Sequence, residues 1–250
     1  MAYISNQKED DLLYARANDL IEQSGKSGNP RFMGFLNERQ QHLLELFLKK
    51  RCEHSFFGGS EQSERRLLAV GKANDENFPV SSVTIKYRVD EAVTLRHGDF
   101  LGSLMALGIK RELVGDIFCE AGVCVVFCHR DILLFILQNL TKVSKFSVSV
   151  EEGITVPLPS SQEYQEIIKS IASERLDCVI GALLNLGREQ SSEVILTGLV
   201  TVNHLAIQKS TTKIMTGDSI AVRGHGKYKI ENIDEATKKG RVRLKALKYV

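Results

Sequence analysis

The stretch GDSIAVRGHGKYKI (217–230) sets Gly217, Gly224 and Gly226 around the cations Arg223, Lys227 and Lys229. Glycines supply the positive φ that tight turns need, and the short apolar run between them reads as a strand. This pattern offers a β-hairpin that presents positive charge to a polyanion. The plainer alternative is an exposed hairpin with a solvated tip. Upstream, Arg175 opens one expected helix and Arg188 opens the next. A helix N-terminus is already positive, so a cation gains nothing from it. An arginine beside the amides of a helix start is instead suited to a phosphate.

Net charge alone would hide this. The 250-residue chain carries a formal charge of only +2. Residues 173–250 hold 13 Lys and Arg against 8 Asp and Glu, a net of +5, while residues 1–172 hold 20 against 23, a net of −3. A basic C-terminal part on a near-neutral body is the electrostatic footprint of nucleic-acid or anionic-surface binding; a solvated basic face is the competing reading. Apolar residues make up 43% of the chain, enough for a packed core throughout. MAYISNQKEDDLLYARAND lacks the basic start and apolar run of a signal peptide. The longest apolar run, DILLFILQNL, is too short to span a bilayer. Five cysteines without framework spacing suit a reducing, cytoplasmic setting.

Other residues with possible chemistry read as structural. CEAGVCVVFCH (119–129) brings Cys119, Cys124, Cys128 and His129 together, but zinc sites favour two Cys or His pairs and no second pair exists. Asp99, next to His97 at an expected helix start, reads as a helix cap rather than an acid–base group. GKSGNP (25–30) contains Gly-Lys-Ser, yet Leu20 stands where a phosphate loop needs its first glycine. No cofactor, metal or small-molecule substrate is expected. Arg65, Arg66, Lys86, Arg88, Arg96, Lys110 and Arg111 dot the middle of the chain, as a solvated face or as further RNA contacts.

The elements that must position these residues follow from periodicity. Residues 8–24 and 36–51 read as helices, and RRLLAVG as a short strand. From residue 80 the rhythm changes to strand 80–89, helix 98–109, two strands joined at Gly122, helix 130–140 and strand 145–153. That βαββαβ order is ferredoxin-like, a sheet shared by many RNA-binding domains and by many that bind no RNA. ITVPLPSS reads as a linker. Residues 162–187 read as one helix, a second short helix follows, and the remainder alternates as strands. The expected fold is α+β, with an N-terminal helical segment (1–75), a ferredoxin-like domain (76–155) and a C-terminal domain (160–250) of two helices followed by a small hairpin sheet.

The ordered motifs RLD, LGR, ILTGLVTVN and TGDSIAVRGHGK resemble the S-four RNA-binding domain, named after small-subunit ribosomal protein number four, over residues of about 173–245. The resemblance implies RNA contacts from Arg175, Arg188, Arg223 and Lys227, with Lys209 and Lys213 as weaker contributors; Lys229 joins them from the hairpin. Gly187 stands where that family usually has serine, and Asn203-His204 replaces its Asn-Gly turn. DFLGSLMALGIKRELVGDI (99–117) is similar to YlmH-like RNA-binding proteins of bacterial cell-division gene clusters. In that family a ferredoxin-like domain precedes the S-four domain, although Gly98 here replaces its usual arginine. The resemblance implies a ribosome-associated, non-catalytic protein that binds ribosomal RNA or tRNA, with relatives linked to the large subunit and to stalled peptidyl-tRNA. The rival readings are an RNA-modifying enzyme and a protein adaptor in division. Arg175-Leu176-Asp177 resembles the catalytic Arg-Leu-Asp of pseudouridine synthases, but the rest of that family's pattern is missing. Asp177 is expected to orient Arg175 or Arg188 instead.

Overall fold

A computed structural model describes residues 2–88, 95–158, 164–234 and 241–249, with side chains from residue 7 onward. The chain divides into two compact units, Met1–Ser161 and Gln162–Val250.

The first unit opens with α1 (Ala2–Ser27), β1 (Arg31–Leu36), α2 (Glu38–Leu48), β2 (His54–Phe57) and β3 (Arg66–Val70). Asn37 starts α2 through a capping box, because its side chain accepts from the Gln40 amide and the Gln40 side chain accepts from the Asn37 amide, both at 2.9 Å. The strands form an antiparallel sheet in the order β1-β3-β2. Leu13, Ala17, Leu44 and Leu48 of the helices pack with Leu68 and Val70 of β3. The helices and β3 match the sequence reading; β1 and β2 are additions to it.

Next come β4 (Val80–Tyr87), α3 (His97–Ala106), β5 (Val114–Glu120), β6 (Val123–His129), α4 (Leu133–Asn139), β7 (Lys142–Val143) and β8 (Phe146–Glu152). Among the described residues these strands form one antiparallel sheet, ordered β5-β6-β4-β8-β7. Without the short β7, this is the strand order of a ferredoxin-like βαββαβ domain. Val83, Ile85, Cys124 and Val126 of the sheet share a buried core with Phe100 and Leu104 of α3 and Ile136 of α4. Gly122, at φ 86°, makes the tight β5–β6 turn. Asp99 serves as a cap: its carboxylate accepts from the Arg96 amide at 2.8 Å.

The second unit contains β9 (Tyr164–Ile171), α5 (Leu176–Leu184), α6 (Arg188–Leu196), β10 (Val200–Val202), β11 (Leu205–Ala206), β12 (Ser219–Val222), β13 (Gly226–Ile233) and β14 (Val242–Tyr249). The expected helix over 162–187 is corrected here. Its first part is β9, which pairs antiparallel with β14 from Tyr164↔Tyr249 to Ile171↔Val242. The Gln, Glu and Lys of this segment favour helix locally, but eight cross-strand partners override that preference. Among the described residues the sheet order is β11-β10-β12-β13-β14-β9. Leu176, Val179, Ile180 and Leu183 of α5, with Ile195 of α6, pack against Ile220, Tyr228, Ile230, Leu244 and Ala246. Both helices therefore cover one face of the sheet.

Candidate nucleic-acid interface

The start of α5 is built by a distant loop. The Leu176 amide donates to the Thr212 carbonyl (2.8 Å), the Asp177 amide to the Ser210 carbonyl (3.1 Å), and the Cys178 amide to the Asp177 carboxylate (2.9 Å). Arg175 and Lys213 face each other across an isolated antiparallel bridge. The first three amides of α5 are thus occupied, and a phosphate arriving here meets the Arg175 guanidinium rather than free N–H groups. That guanidinium is itself engaged: Nε and Nη2 donate to the two oxygens of Asp177 at 3.1 and 2.5 Å. Asp177 is 2% exposed. The hydrogen bonds from Arg175 hold its carboxyl below the usual carboxylate range, against the opposing pull of burial. The expectation that Asp177 orients an arginine holds for Arg175.

The start of α6 is more open. The Gly187 amide donates to the Gln190 side chain at 3.2 Å, and the buried Ser191 hydroxyl donates to the Gly187 carbonyl at 2.8 Å. Arg188 is exposed and forms no ion pair among the described residues. Glu189 and Glu193 share its helix.

The hairpin of residues 217–230 is present. Ser219↔Lys229 and Val222↔Gly226 pair β12 with β13, and Arg223-Gly224-His225 forms the tip. Gly224 and Gly226 lie at φ 85° and 101°, so a side chain at either would strain the turn. Asn203 and His204, at φ 48° and 66°, both take the left-handed conformation that closes β10 onto β11. Asp218 stabilises this turn, a role the sequence reading missed. Its carboxylate accepts from the Asn203 side chain and from the Met215 amide, both at 2.8 Å. Its only signal in the sequence is a short acidic residue directly after Gly217, at a turn.

The structure divides the seven expected RNA contacts. Arg175 is bound to Asp177, Lys213 to Glu174 at 2.7 Å, and Lys227 lies over the Tyr249 ring at 4.7 Å. Arg188, Lys209, Arg223 and Lys229 are exposed and form no ion pair among the described residues. The seven do not gather on one face. Tyr228 and Ile230 point into the core beneath the helices, so the alternating Lys227 and Lys229 point to the opposite side of the sheet. Arg188 lies on the helix side and Arg223 at the hairpin tip.

In the first unit several expected surface cations serve the fold. Arg65 donates from Nε to the Val114 carbonyl (3.2 Å) and from Nη2 to the Phe35 carbonyl (2.9 Å). Desolvation, with the nearby Arg111 charge, pushes its guanidinium down to about 10. Arg111 donates to the Val114 carbonyl, Arg66 to the Ser63 carbonyl at 2.9 Å, and Lys86 pairs with Glu151 at 2.8 Å. Arg88, Arg96 and Lys110 are exposed. The Cys119 and Cys124 thiols lie 3.2 Å apart, and burial pushes the Cys128 thiol up to about 12. Among the described residues, no group of three or more His, Cys, Asp or Glu could hold a metal ion. None of the described helices is long and apolar enough to cross a membrane.

Residues 73–155 match the family described as "Putative RNA-binding domain in YlmH". That segment is the five-stranded sheet with α3 and α4. Over 219 residues the chain is 26% identical to a Bacillus subtilis (strain 168) protein, spanning 84% of each; that protein is named ribosome-associated protein quality control protein P2. A solved structure, cell division protein ylmH from Streptococcus pneumoniae, superposes with a TM-score of 0.50 at 26% identity, covering 58% of this chain and 92% of that one. With its sheet order, its matched central segment and a relative similar over 84% of both chains, the chain resembles YlmH-like RNA-binding proteins over most of its length.

Proposed function

We propose that this protein is a non-catalytic, cytoplasmic RNA-binding factor that works on the ribosome. It binds structured ribosomal RNA or tRNA, in the setting of the large subunit and a stalled peptidyl-tRNA. The observation that carries this reading is the relative named for ribosome-associated quality control, similar over 84% of both chains. The cations without internal partners on the second unit support it. Arg188, Lys209, Arg223 and Lys229 would neutralise phosphates, with Arg175, Lys213 and Lys227 as contributors whose existing partners must first be displaced. The shape of the fold would supply the rest, because A-form RNA hides its major-groove edges from side chains. Residues 1–75, 76–155 and 160–250 would act as three parts, the last two carrying the RNA surfaces. The state of Asp177 supports a binder over a pseudouridine-synthase-like enzyme: a buried carboxylate held through both oxygens is a poor nucleophile.

The test is co-sedimentation with ribosomes at two salt concentrations, followed by crosslinking in cells and sequencing of the attached RNA. Crosslinks clustered in ribosomal RNA or tRNA are expected. Ribosome fractions free of the protein would refute the reading, as would a strain lacking the protein that loses one specific modified nucleoside. Retention on division proteins after nuclease treatment, without RNA crosslinks, would favour the adaptor role suggested by the name of the Streptococcus structure.

A further inference from the structure

The face of the second unit's sheet opposite α5 and α6 has the composition of a binding surface. Leu244 and Ala246 point into the core, so Arg243, Lys245, Leu247 and Tyr249 of β14 point outward. Their partners on β9 are Ser170, Ile168, Glu166 and Tyr164, and Lys229 of β13 is registered against Leu247. Tyr164 is 46% exposed and Ile168 is 47% exposed. Four cations, Lys227, Lys229, Arg243 and Lys245, stand with three carboxylates, Glu166, Glu231 and Asp234. Lys245 engages Glu166 and Glu231, at 3.5 and 2.7 Å, and Asp234 accepts from the Asn232 side chain. Lys229 and Arg243 form no ion pair among the described residues. The helix side carries charge of both signs as well, with Lys169, Arg175, Arg188 and Lys248 against Asp177, Glu189 and Glu193. What distinguishes the sheet face is that its cations stand beside exposed aromatic and apolar side chains.

An aromatic pair stands at the edge of that face. The Tyr164 and Tyr249 rings lie 5.1 Å apart between centroids at 70°, and the Lys227 ammonium sits over Tyr249. A half-exposed ring fixed by an edge-on neighbour and flanked by cations is what unpaired bases need: a π-face for the base, with positive charge for the phosphates beside it. A duplex would use the cations but could not reach the ring, since its bases are stacked on each other.

We propose that the sheet face opposite the helices binds an unpaired stretch of RNA, its bases stacking on Tyr164 and its phosphates neutralised by Lys227, Lys229 and Arg243. This rests on the RNA-binding reading above and adds both the face and the single-stranded character of the RNA. Tyr249 is the positioning residue that holds Tyr164 in place.

The test uses the full-length protein and a fluorescein-labelled oligoadenosine of about ten nucleotides, alone and annealed to its complement. Tyr164→Ala and Tyr164→Leu should each weaken binding of the single strand roughly tenfold, with the duplex unaffected. Tyr164→Phe should bind as wild type. The chain has no tryptophan, so Tyr164→Trp places a unique fluorophore on the face, and the oligonucleotide should quench it. Unchanged thermal unfolding separates these effects from misfolding. Wild-type single-strand affinity in Tyr164→Ala, together with an unquenched Tyr164→Trp, would overturn the proposal. If Arg223→Ala still weakens ribosome binding in that case, the broader RNA-binding reading survives. If the wild type binds neither oligonucleotide nor ribosome, both fall. Loss of ribosome association with unaltered oligonucleotide affinity would assign the face to a protein partner and also overturn the proposal.

Discussion

Arg223→Ala should remove one of the proposed phosphate contacts with little cost to the fold. The side chain is exposed at the hairpin tip and makes no internal ion pair among the described residues, while its backbone amide, which donates to the Leu199 carbonyl at 3.0 Å, is kept. Stability should change by no more than about 0.5 kcal/mol. Each phosphate neutralised contributes roughly 0.7–0.9 to the slope of log K against log salt. Extrapolated from 1 M to about 0.15 M salt, that slope amounts to roughly a four- to sixfold loss of affinity, or about 1 kcal/mol. The assay is fluorescence anisotropy with a labelled RNA hairpin over a series of salt concentrations. Lys213→Ala is the internal comparison. Its ammonium already neutralises Glu174 at 2.7 Å, so a phosphate must displace a carboxylate, and the slope should fall by less than half as much. A wild-type slope in Arg223→Ala, or a larger fall in Lys213→Ala, would refute the argument that internal partners decide which cations bind.

Asp177→Asn should leave cellular pseudouridine unchanged in nucleoside mass spectrometry. The folded-state pKa of Asp177 is depressed, so its stabilising contribution is present above the unfolded value of about 4 and is lost as pH falls through the lower folded value; acid unfolding followed by circular dichroism should be shallower in the variant. Nothing lies within 4 Å of a Cβ built at Gly98, so Gly98→Arg has room. Its helix-propensity gain of about 1 kcal/mol is largely offset by a cation at a helix start; if the middle domain contacts RNA there, the anisotropy salt slope should steepen by about one. Arg65→Ala removes a charge-assisted hydrogen bond to the buried Phe35 residue's carbonyl and should destabilise the protein by about 2–3 kcal/mol in thermal unfolding, with no change in RNA salt slope.

The ferredoxin-like segment was legible because its strands alternate and its helices carry apolar stripes, so local pattern and final fold agree. In the N-terminal part they do not. The burial of β1 runs from exposed to buried along the strand, and all four residues of β2 are half-buried, leaving no period of two to read. Strand β9 was misread because its residues favour helix and only β14, far along the chain, makes it a strand. The cations of the candidate site stand out in the sequence by type and place. Their pairing does not: Lys213 meets Glu174 only because the 209–214 loop folds back onto the start of α5, a contact invisible to any local window.

Arginine use in this chain carries the separation between scaffold and site further. A guanidinium fork matches carbonyls and carboxylates as well as phosphates, and the fold uses it inside. Arg39 binds both oxygens of Asp10 at 2.6 Å. Arg65, the residue before β3, donates to Val114 of β5, Arg130 donates to the Phe78 carbonyl, and Arg175 holds Asp177. On the second unit, Arg188, Arg223 and Arg243 have no such partner among the described residues, and they occupy three different places: the start of α6, the hairpin tip and the outer sheet face. Folding gains nothing from these three charges, so removing them should cost binding without costing stability. The internally bonded arginines should show the reverse. A nucleic acid that touched all three would wrap the edge of the unit rather than lie on one side of it, which fits RNA with both a folded part and an unpaired stretch better than a uniform duplex.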